Sequence, residues 1–473
     1  MKEAVTELSA LLSPDRVLHG EAVERAYDCD AYTVDKSQPQ IVVLPESTAE
    51  VQKIIKWCRA NQVPYTPRGA GTGLSGGALA AKGGVIISTK KMTKILEYSP
   101  TERLMRAQAG AVNVKLSQAA AADGLHFAPD PSSQSVSTLG GNIAENSGGP
   151  HTLKYGVTAQ HILGMTVVDH EGEVLEFKSL KKDLPGLDLT TLLVGSEGTL
   201  GFVTEAVINL TPNPASVQTA LAAFPTLRSA TESVAAIIAA GVIPAALELM
   251  DSFILEAVSV AFGFPVPTGT AAMLLIECDG SPESAREEIE EAVAICQAKG
   301  AFEVTLAKNP EERAKLWTAR KKGVGALGRL APTIVTHDGV IPRSQLPDML
   351  EYAAQVAEEA GVRIGNIFHA GDGNLHPIFC FDERVPGSID KVVEAGEKIL
   401  KRCVELGGSI TGEHGVGVEK LDMIQLMFDE DDLHLQNLAR SIFHEDGLVN
   451  PCKMIPNQKG CTEHRRRWRG VAT

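Results

Sequence analysis

The chain has 473 residues, of which 44% are hydrophobic and 22% charged, and its formal net charge is −15 at pH 7. This length exceeds what one hydrophobic core normally serves, so we expect two or three domains. The negative charge argues against a nucleic-acid partner, because phosphate binding requires a basic face.

Neither a signal peptide nor a transmembrane helix is predicted. Lys2, Glu3 and Glu7 stand where a secretory signal needs an apolar core, and no stretch approaches the roughly 18 uninterrupted apolar residues of a membrane span. The cysteines are scattered without a Cys-x-x-Cys pair, which argues against a local iron–sulfur or cysteine-ligated zinc site and favours reduced thiols. We therefore expect a cytoplasmic protein that reaches an inner membrane only through partners. The basic cluster His464–Arg469 is predicted to be a solvated tail, with docking to an acidic partner or membrane surface as the weaker alternative.

The first of three glycine-rich loops is Pro67–Gly77. Its spacing Gly71-x-Gly73-x-x-Gly76 formally matches a dinucleotide-binding fingerprint. That fingerprint requires a helix to begin at the loop, whereas this sequence continues without a helix start into a predicted strand at Val85–Ser88. We therefore expect the backbone N–H groups of the loop to form an anion-binding nest by themselves, and a nicotinamide-dependent Rossmann enzyme is disfavoured.

Two more glycine-rich segments follow before residue 214. One comprises Pro129–Ser133 and Thr138–Gly149, followed by Lys154-Tyr155-Gly156, and the other is Gly195–Gly201. Glycine lets a backbone approach a ligand that side chains would exclude, although tight turns between strands also take glycine. Three such loops bounded by short β-rich runs such as Gly164–Val168 favour a long, phosphate-bearing ligand.

From Ala215 to about Leu406 the pattern changes to strands alternating with amphipathic helices. We predict strands at Thr219–Phe224 and Ala271–Glu277, and helices at Thr226–Ala240, Pro282–Lys299 and Ser344–Ala360. This alternation indicates an α+β layer in which helices cover a sheet. Two further helical stretches are expected between Glu419 and Pro456.

A pair of histidines flanks a predicted hairpin turn at residues 371–374, Gly-Asp-Gly-Asn. The flanking strands Asn366–Ala370 and Leu375–Phe381 would place His369 directly opposite His376. Directly paired side chains have Cβ atoms about 4.5–5.5 Å apart, so the two imidazoles could converge on one divalent cation. The competing interpretation is a pair of surface or core histidines without a metal, because the turn chemistry supports the hairpin by itself.

Three further residues carry candidate chemistry. In Gly412-Glu413-His414-Gly415, Glu413 could supply a third, harder metal ligand, which would leave His414 to accept a proton. Arg320, in Trp317-Thr-Ala-Arg320, is a candidate clamp for a carboxylate, since guanidinium binds carboxylate bidentately. On a surface helix it would instead be solvated.

The order of these motifs resembles one family along nearly the whole chain, from about Arg25 to Pro456. The first half carries Arg68-Gly-Ala-Gly-Thr-Gly-Leu-Ser-Gly-Gly77, Pro129-Asp-Pro-Ser-Ser133, Gly140-Gly-Asn142, Asn146-x-Gly-Gly149, Lys154-Tyr-Gly156 and Gly195-Ser-Glu-Gly198. It is similar to the PCMH-type FAD-binding domain of the vanillyl-alcohol oxidase and p-cresol methylhydroxylase superfamily. The second half carries Trp317-x-x-Arg320, Phe368–Pro377, Gly412–Gly417 and Gly447–Pro451. These resemble the D-2-hydroxyacid dehydrogenase branch of the FAD-linked oxidases.

The resemblance implies an α+β protein. Its parts would be an N-terminal helical segment (residues 1–37), a two-subdomain FAD-binding domain (38–214), a substrate or cap domain with an antiparallel sheet (215–415), and a C-terminal helical segment with the basic tail (416–473). The last segment would return to the FAD-binding domain.

The resemblance also implies dissociable FAD, because the pyrophosphate loop contains no histidine, cysteine or tyrosine that could attach a flavin. The first loop would cradle the pyrophosphate, the second segment would line the isoalloxazine and ribityl region, and Gly195–Val203 would hold the adenosine end. The implied FAD contacts are Pro67, Arg68, Gly69, Ala70, Gly71, Thr72, Gly73, Leu74, Ser75, Gly76, Pro129, Asp130, Pro131, Ser132, Gly140, Gly141, Asn142, Ala144, Asn146, Gly148, Gly149, Tyr155, Gly156, Gly195, Glu197, Gly198, Gly201, Val203, Glu413 and Asn450.

The implied reaction is oxidation of a D-2-hydroxy acid. A divalent zinc, manganese or iron ion held by His369, His376 and Glu413 would polarise the substrate hydroxyl. Arg320, His369 and His414 would bind the substrate, and His414 would take the hydroxyl proton as general base. Hydride would pass to flavin N5, leaving a 2-oxo acid.

Two positions depart from the pattern of the branch. At Thr336-His337-Asp338, members that oxidise D-2-hydroxyglutarate carry a lysine for the distal carboxylate, and its absence predicts a short substrate such as glycolate or D-lactate. The usual Asn-Pro-Gly-Lys reads Asn450-Pro451-Cys452-Lys453, and Cys452 would be uncommon there if the position requires a positive φ.

Two alternatives stay open: a D-2-hydroxyglutarate-type dehydrogenase, and a non-catalytic FAD-binding electron-transfer subunit of a multi-subunit oxidase. Candidate electron acceptors are flavin and iron–sulfur partner subunits, a quinone or a cytochrome. A homodimer is a further candidate assembly.

Overall fold

The structure is a computed structural model that describes residues 2–23, 26–177, 186–444 and 447–456. The predicted basic cluster His464–Arg469 lies outside these residues. Within the described ranges, no helix combines the length and the apolar composition needed to cross a membrane.

The secondary structure is mixed. The strands are β1 (Val17–His19), β2 (Ile41–Val43), β3 (Tyr65–Arg68), β4 (Val85–Ser88), β5 (Ile95–Ser99), β6 (Leu104–Gln108), β7 (Leu125–His126), β8 (Ile162–Val168), β9 (Val174–Phe177), β10 (Phe202–Asn209), β11 (Thr211–Pro212), β12 (Ser216–Phe224), β13 (Ala246–Asp251), β14 (Ala272–Gly280), β15 (Glu303–Leu306), β16 (Thr333–Thr336), β17 (Gly339–Val340), β18 (Arg363–His369), β19 (Asn374–Leu375) and β20 (Pro377–Phe381). The α-helices are α1 (Lys2–Leu11), α2 (Thr48–Ala60), α3 (Asn113–Ala120), α4 (Leu139–Glu145), α5 (Thr152–Tyr155), α6 (Leu189–Leu193), α7 (Leu227–Ala239), α8 (Ser252–Phe262), α9 (Pro282–Ala298), α10 (Pro310–Leu327), α11 (Leu346–Ala360), α12 (Ser388–Glu405) and α13 (Glu430–Phe443).

The chain divides into two compact units. The first comprises Met1–Gly148, Val157–Asn213 and Glu413–Thr473, and the second comprises Gly149–Gly156 and Pro214–Gly412. A 3₁₀-helix at Leu421–Leu426 and α13 are the two helical stretches predicted near the C-terminus, so that prediction is confirmed.

The first unit contains two larger sheets. One has the order β1-β2-β4-β3, in which β2, β4 and β3 are parallel and β1 is antiparallel. The other has the order β5-β6-β10-β8-β9 and is antiparallel. Each sheet has its own hydrophobic core, which confirms the two-subdomain architecture that the resemblance implied.

Helix α2 shows how the sequence builds the first of these cores. Its N-cap Ser47 accepts a hydrogen bond from the Glu50 backbone N–H at 3.3 Å. Buried Val51, Ile54 and Ile55 then repeat at helical spacing and pack with the strands of the four-stranded sheet. Burying one such side chain stabilises the fold by about 1.5–3 kcal/mol.

Helix α4 was not predicted, because residues 138–149 were expected to form a loop. Its N-cap Thr138 accepts a hydrogen bond from Gly141 N at 3.3 Å. The two glycines make the helix difficult to predict from the sequence, since glycine is a poor helix former. Gly140 has a packing reason instead: an added Cβ would lie 2.8 Å from the Ala109 Cβ.

The second unit is built on an antiparallel sheet of order β15-β12-β14-β13-β18-β19-β17, with β20 paired to β18 and β16. The helices α8 and α10 pack on one face, where Ile254, Trp317 and Ile367 share a core with strand residues. The predicted strands and helices between residues 219 and 360 correspond to β12, β14, α7, α9 and α11. The predicted α+β unit with an antiparallel sheet is therefore confirmed.

Candidate active site

The loop Pro67–Gly77 joins β3 to the residues before β4 without a helix, as predicted; among the described residues no helix begins between Arg68 and Val85. Arg68 ends β3 and is 7% exposed. Its guanidinium lies 5.3 Å from the centroid of the Tyr27 ring, and Nη2 donates to the Ala26 carbonyl at 3.3 Å. The positively charged Arg68 side chain is therefore nearly buried at the start of the loop.

Four buried polar atoms among the predicted FAD contacts have no hydrogen-bond partner in the described part of the chain: Arg68 Nη1, Ser75 Oγ, Asn142 Nδ2 and Asn450 Oδ1. A buried polar group without a partner costs about 1–3 kcal/mol. Together these atoms offer donors and an acceptor to a polar ligand. This donor and acceptor set fits FAD, whose phosphates and ribityl hydroxyls need such partners.

The glycines of the loops are required partly by protein packing. An added Cβ at Gly69 would lie 2.3 Å from Thr138 Oγ1, and one at Gly71 would lie 2.3 Å from Arg68 Nη2. Gly71 also has φ +72°, which other residues rarely adopt. These glycines were expected to allow close approach of a ligand, and they also allow close approach of protein side chains.

Glu197, a predicted FAD contact, uses its carboxylate inside the protein. Oε1 accepts from Val416 N at 2.7 Å and Oε2 from Gly417 N at 2.8 Å. Burial raises the pKa of Glu197, although these two backbone donors act against the rise. The Glu197 carbonyl also accepts from Asn450 Nδ2 at 2.7 Å. The side chain thus ties the residues after His414 to the third glycine-rich loop.

Cys452 adopts the conformation that the usual glycine of its motif would suit. Its φ is 61°, and Asn450 and Met454 also have positive values of 37° and 61°. A non-glycine residue in this region costs roughly 1–2 kcal/mol. Cys452 is therefore a strained substitution in the segment that contains Asn450.

The predicted site residues are divided between the two units. Gly149, Tyr155 and Gly156 belong to the second unit, and the other predicted FAD contacts belong to the first. The Tyr155 hydroxyl donates to Asp279 Oδ2 at 2.6 Å, and Lys154 Nζ lies 2.5 Å from Asp279 Oδ1. Arg320, His369 and His376 lie in the second unit, and Glu413 and His414 in the first.

Helix α10 presents three side chains to the sheet of the second unit. Arg313, Trp317 and Arg320 follow at i, i+4 and i+7, the spacing of one helix face. The Glu277 carboxylate on β14 accepts from Arg313 Nε at 2.7 Å and from Trp317 Nε1 at 2.8 Å. On the neighbouring strand β13, Glu248 accepts from Arg320 Nε. The β13–β14 register places both carboxylates on the same face of the sheet.

Glu248 joins Arg320 to His369. It is fully buried and directly opposite His369 in the β13–β18 ladder, and its Oε1 lies 2.7 Å from His369 Nδ1. An ionised carboxylate only accepts, so Nδ1 carries a proton, and in the neutral form of the ring the lone pair is on Nε2. Burial acts to raise the pKa of Glu248, but Arg320 and His369 outweigh it and hold the pKa below its usual 4.5. The group is therefore ionised at neutral pH.

Arg320 is 5% exposed, so the alternative of a solvated arginine on a surface helix is wrong. Its Nη2 approaches His369 Nδ1 to 3.5 Å. Both atoms are donors facing one carboxylate, so this approach is a contact between neighbours and not a hydrogen bond. Its consequence is that a cation and an imidazole share one buried anion.

The hairpin that carries the two histidines exists, but the predicted register was wrong. His369 pairs with Asn374, and Asn366 pairs with Pro377, so His376 is not directly opposite His369. Asn374 was predicted in the turn, whereas the left-handed Gly373, at φ 72°, completes the turn and Asn374 begins β19.

His376 nevertheless lies on the same face as His369, because it is the diagonal neighbour two positions along the partner strand. The ring centroids are 5.2 Å apart and the ring planes meet at 87°. A ring nitrogen of each lies within 4.8 Å of one of the other. Two imidazoles in this arrangement fit a divalent ion such as zinc, manganese or ferrous iron.

Asp338 connects His376 to the end of the second unit. It is fully buried, and its Oδ1 lies 3.7 Å from His376 Nδ1. Its Oδ2 accepts from Thr411 Oγ1 and from Gly412 N, each at 2.7 Å. Gly412 is the last residue of the second unit and Glu413 follows it in the chain, so Asp338 fixes the backbone immediately before Glu413.

Sequence reasoning missed Glu248 and Asp338 as members of this cluster. Glu248 is the single acid in the apolar run Ala245-Ala246-Leu247-Glu248-Leu249-Met250. A lone charge in a buried strand is a usable signal, because such charges are almost always paired. Asp338 follows His337 in a motif that was considered only for a missing lysine.

Comparisons with known proteins agree with this architecture. Residues 39–178 match the family model "FAD binding domain", and residues 213–454 match "FAD linked oxidases, C-terminal domain". The glycolate oxidase subunit GlcD of Escherichia coli (strain K12) is 41% identical over 447 residues, covering 94% of this chain and 90% of that protein. A D-lactate dehydrogenase of Anaerostipes hadrus is 32% identical over 453 residues, covering 94% and 95%.

A solved structure shares the fold. The crystal structure of p-cresol methylhydroxylase with substrate bound has a TM-score of 0.78 at 16% identity, covering 96% of each chain. The fold, the two matched domains and relatives above 30% identity lead to one conclusion. This chain belongs to the family of FAD-linked oxidases, and it is an FAD-dependent oxidoreductase.

Proposed function

We propose that this chain oxidises a short D-2-hydroxy acid, glycolate or D-lactate, to the 2-oxo acid. The names of the two relatives, a glycolate oxidase subunit and a D-lactate dehydrogenase, support this choice of substrate. The observation that carries the proposal is the buried cluster of Arg320, Glu248 and His369. It combines a cation that suits a carboxylate with an imidazole that is hydrogen-bonded through Nδ1 to a buried carboxylate.

FAD is proposed to bind, without a covalent bond, to the glycine-rich loops of the first unit. The four buried polar atoms without a partner support this assignment. Arg68 would balance part of the negative charge of the pyrophosphate. When bound, FAD would supply the acceptor for the two electrons that leave the substrate.

His369 and His376 are proposed to hold a divalent ion, with Glu413 as the third ligand expected from the sequence. When bound, such an ion would polarise the substrate hydroxyl and make its proton easier to remove. The paired imidazoles on one face of the hairpin support this part of the proposal.

Arg320 is proposed to bind the substrate carboxylate. Its Nε is occupied by Glu248, whereas Nη1 makes no hydrogen bond to another residue in the described part of the chain. His414 is proposed to take the hydroxyl proton, because an imidazole can accept a proton near neutral pH. The proton on His414 and the hydride from Cα account for both hydrogens lost by the hydroxy acid.

A short substrate is favoured over D-2-hydroxyglutarate. The position where a lysine would support a distal carboxylate is occupied by Thr336-His337-Asp338, and Asp338 is fully buried. A second substrate carboxylate near that acid would meet a like charge. The alternative of a non-catalytic FAD subunit is disfavoured, because such a subunit has no physical reason to bury an arginine beside a paired histidine.

The test is anaerobic mixing of the FAD-loaded enzyme with glycolate, D-lactate, L-lactate and D-2-hydroxyglutarate, with flavin absorbance as the readout. We expect bleaching by glycolate or D-lactate. His414→Ala should retain FAD but fail to bleach with either acid, whereas His434→Ala, at an exposed histidine of α13, should behave like wild type. Rapid flavin bleaching in His414→Ala would show that His414 is not the group that accepts the hydroxyl proton.

The metal is tested separately by elemental analysis of enzyme prepared without chelator. About one divalent ion per chain is expected, and His376→Ala should lose both ion and activity. The exposed control His434→Ala should keep both. Full activity of the wild type after exhaustive chelation would contradict the metal assignment.

We further propose flavin and iron–sulfur partner subunits as electron acceptors, in a cytoplasmic complex peripheral to the inner membrane. The name of the Escherichia coli relative, a subunit, supports an assembly with partners. A homodimer is the alternative assembly. We also propose the functional boundaries 38–214 for FAD binding and 215–415 for substrate binding.

A further inference from the structure

We infer that Glu248 is a positioning residue that sets His369 in the tautomer with Nδ1 protonated, presents its Nε2 to a divalent ion, and ties Arg320 to the same anchor. This inference rests on the proposed function, since the ion is the one proposed there. It adds a residue that contacts neither substrate nor ion.

The geometry of the ladder makes Glu248 suited to this role. Glu248 and His369 are directly opposite on antiparallel strands, so their side chains leave the same face side by side. The 2.7 Å separation of Oε1 from Nδ1 is that of a charge-assisted hydrogen bond. Both strands are internal to the sheet, because β13 and β18 each have neighbouring strands on both sides.

A carboxylate behind a ligating imidazole does two things. It fixes which nitrogen is protonated, and it raises the basicity of the nitrogen that meets the metal. Glu248 also engages Arg320 Nε through its other oxygen. A change at Glu248 would therefore affect both the proposed metal ligand and the proposed carboxylate clamp.

Asp251 provides a contrast on the same strand. Its carboxylate is 8% exposed and accepts from Asn366 N at 2.7 Å, from Asn366 Nδ2 at 2.9 Å and from Ile254 N at 3.0 Å. These contacts cap α8 and hold the middle of β18. Among the described residues, the Asp251 carboxylate makes no hydrogen bond to a histidine, so Asp251→Asn is a matched control for Glu248→Gln.

The experiment uses the FAD-loaded full chain, stripped of metal with a chelator and titrated with Zn²⁺ against a chromophoric competitor. Glu248→Gln should weaken Zn²⁺ binding by about 10–100-fold, the usual effect of losing such a partner. Asp251→Asn should stay within about twofold of wild type, and His376→Ala should lose the site. Glu248→Asp keeps a buried negative charge but withdraws the carboxylate from His369, so it should also weaken binding if Glu248→Gln folds poorly.

A second readout needs no metal and no variant at Glu248. In metal-free enzyme labelled with ¹⁵N-histidine, the His369 resonances are identified by their loss in His369→Ala. Their shifts should report a protonated Nδ1 and an unprotonated Nε2. The opposite tautomer in the wild type would overturn the inference.

The outcomes separate this inference from the proposed function. Wild type that binds Zn²⁺, His376→Ala that does not, and Glu248→Gln that binds as tightly as wild type would refute the role of Glu248 alone. Wild type that binds no Zn²⁺ would refute the proposed metal centre and this inference with it. A selective loss in Glu248→Gln together with the expected tautomer would support both.

Discussion

Replacing Glu277 by glutamine should destabilise the second unit by roughly 2–4 kcal/mol. The Glu277 carboxylate is 1% exposed, and its Oε2 accepts from Thr219, Arg313 Nε and Trp317. An amide has only one acceptor oxygen. If that oxygen replaces Oε2, the bonds that Oε1 accepts from Arg313 Nη2 at 2.6 Å and shares with His151 Nε2 at 3.2 Å are lost.

The magnitude follows from these contacts. Hydrogen bonds to charged groups contribute about 1.5–3 kcal/mol each. The Arg313 side chain is 41% exposed, so hydration reduces the loss at that partner. The remaining cost comes mainly from placing an amide N–H₂ group among donors in a buried site.

Urea unfolding followed by tryptophan fluorescence measures the effect, since Trp317 is one of three tryptophans in the chain. The control is Glu256→Gln, whose partner Arg363 is 3.4 Å away and whose pair is 57% and 61% exposed. That variant should lie within about 0.5 kcal/mol of wild type. Equal unfolding free energies for Glu277→Gln and Glu256→Gln would refute the reasoning.

The pH dependence gives a second check on Glu277. Burial acts to raise the pKa of Glu277, but the Arg313 and His151 contacts lower it well below its usual 4.5. A lowered folded-state pKa gives stability that is present above the unfolded value and is lost as pH falls through the folded value. The difference between wild type and Glu277→Gln should therefore narrow below about pH 4.5, and a difference that stays constant there would contradict the assignment.

Three further predictions concern other residues. Burial raises the pKa of Asp251 to about 6, so its contribution to stability is complete below the unfolded value of 3.8 and is lost as pH rises to about 6; Asp251→Asn should flatten the melting temperature of the protein across that window. Gly71→Ala should cost more stability than Gly124→Ala and reduce FAD retention after gel filtration, because both have a positive φ but only Gly71 would press a Cβ against Arg68. Equal FAD retention in the two variants would contradict this. Arg320→Lys should raise the KM for D-lactate or glycolate, since an ammonium cannot reproduce the guanidinium fork; steady-state kinetics that match wild type would count against the clamp.

The fold was predictable because its signals are local and repeated. The helices α7, α9 and α11 have apolar residues at helical spacing and end at or near glycine, and the predicted bounds of each agree with the structure within a few residues. Helix α4 was missed because two of its residues are glycines. Gly140 is required there because it packs against Ala109, and a contact between residues so far apart cannot be recognised from a local sequence pattern.

The sequence predicted which residues belong to the site better than it predicted how they are arranged. The histidines and Arg320 were identified from their motifs, but the hairpin register depended on whether Gly373 or Asn374 closed the turn. The lone acid Glu248 could be noticed in its apolar strand, but its role could be assigned only through its partner, because the β13–β18 pairing joins residues that are 121 positions apart. Long-range pairing of this kind leaves little trace in one sequence.

The face of α10 that carries Arg313, Trp317 and Arg320 sets a limit on how this protein can change in length. The helix starts at the N-cap Asn309, which accepts from Glu312 N at 2.9 Å. One inserted residue between the cap and Arg320 would turn everything after it by about 100° and point the guanidinium away from Glu248. The loop before Asn309 can tolerate insertions and deletions, whereas the number of residues from the start of the helix to Arg320, which is eleven, cannot change.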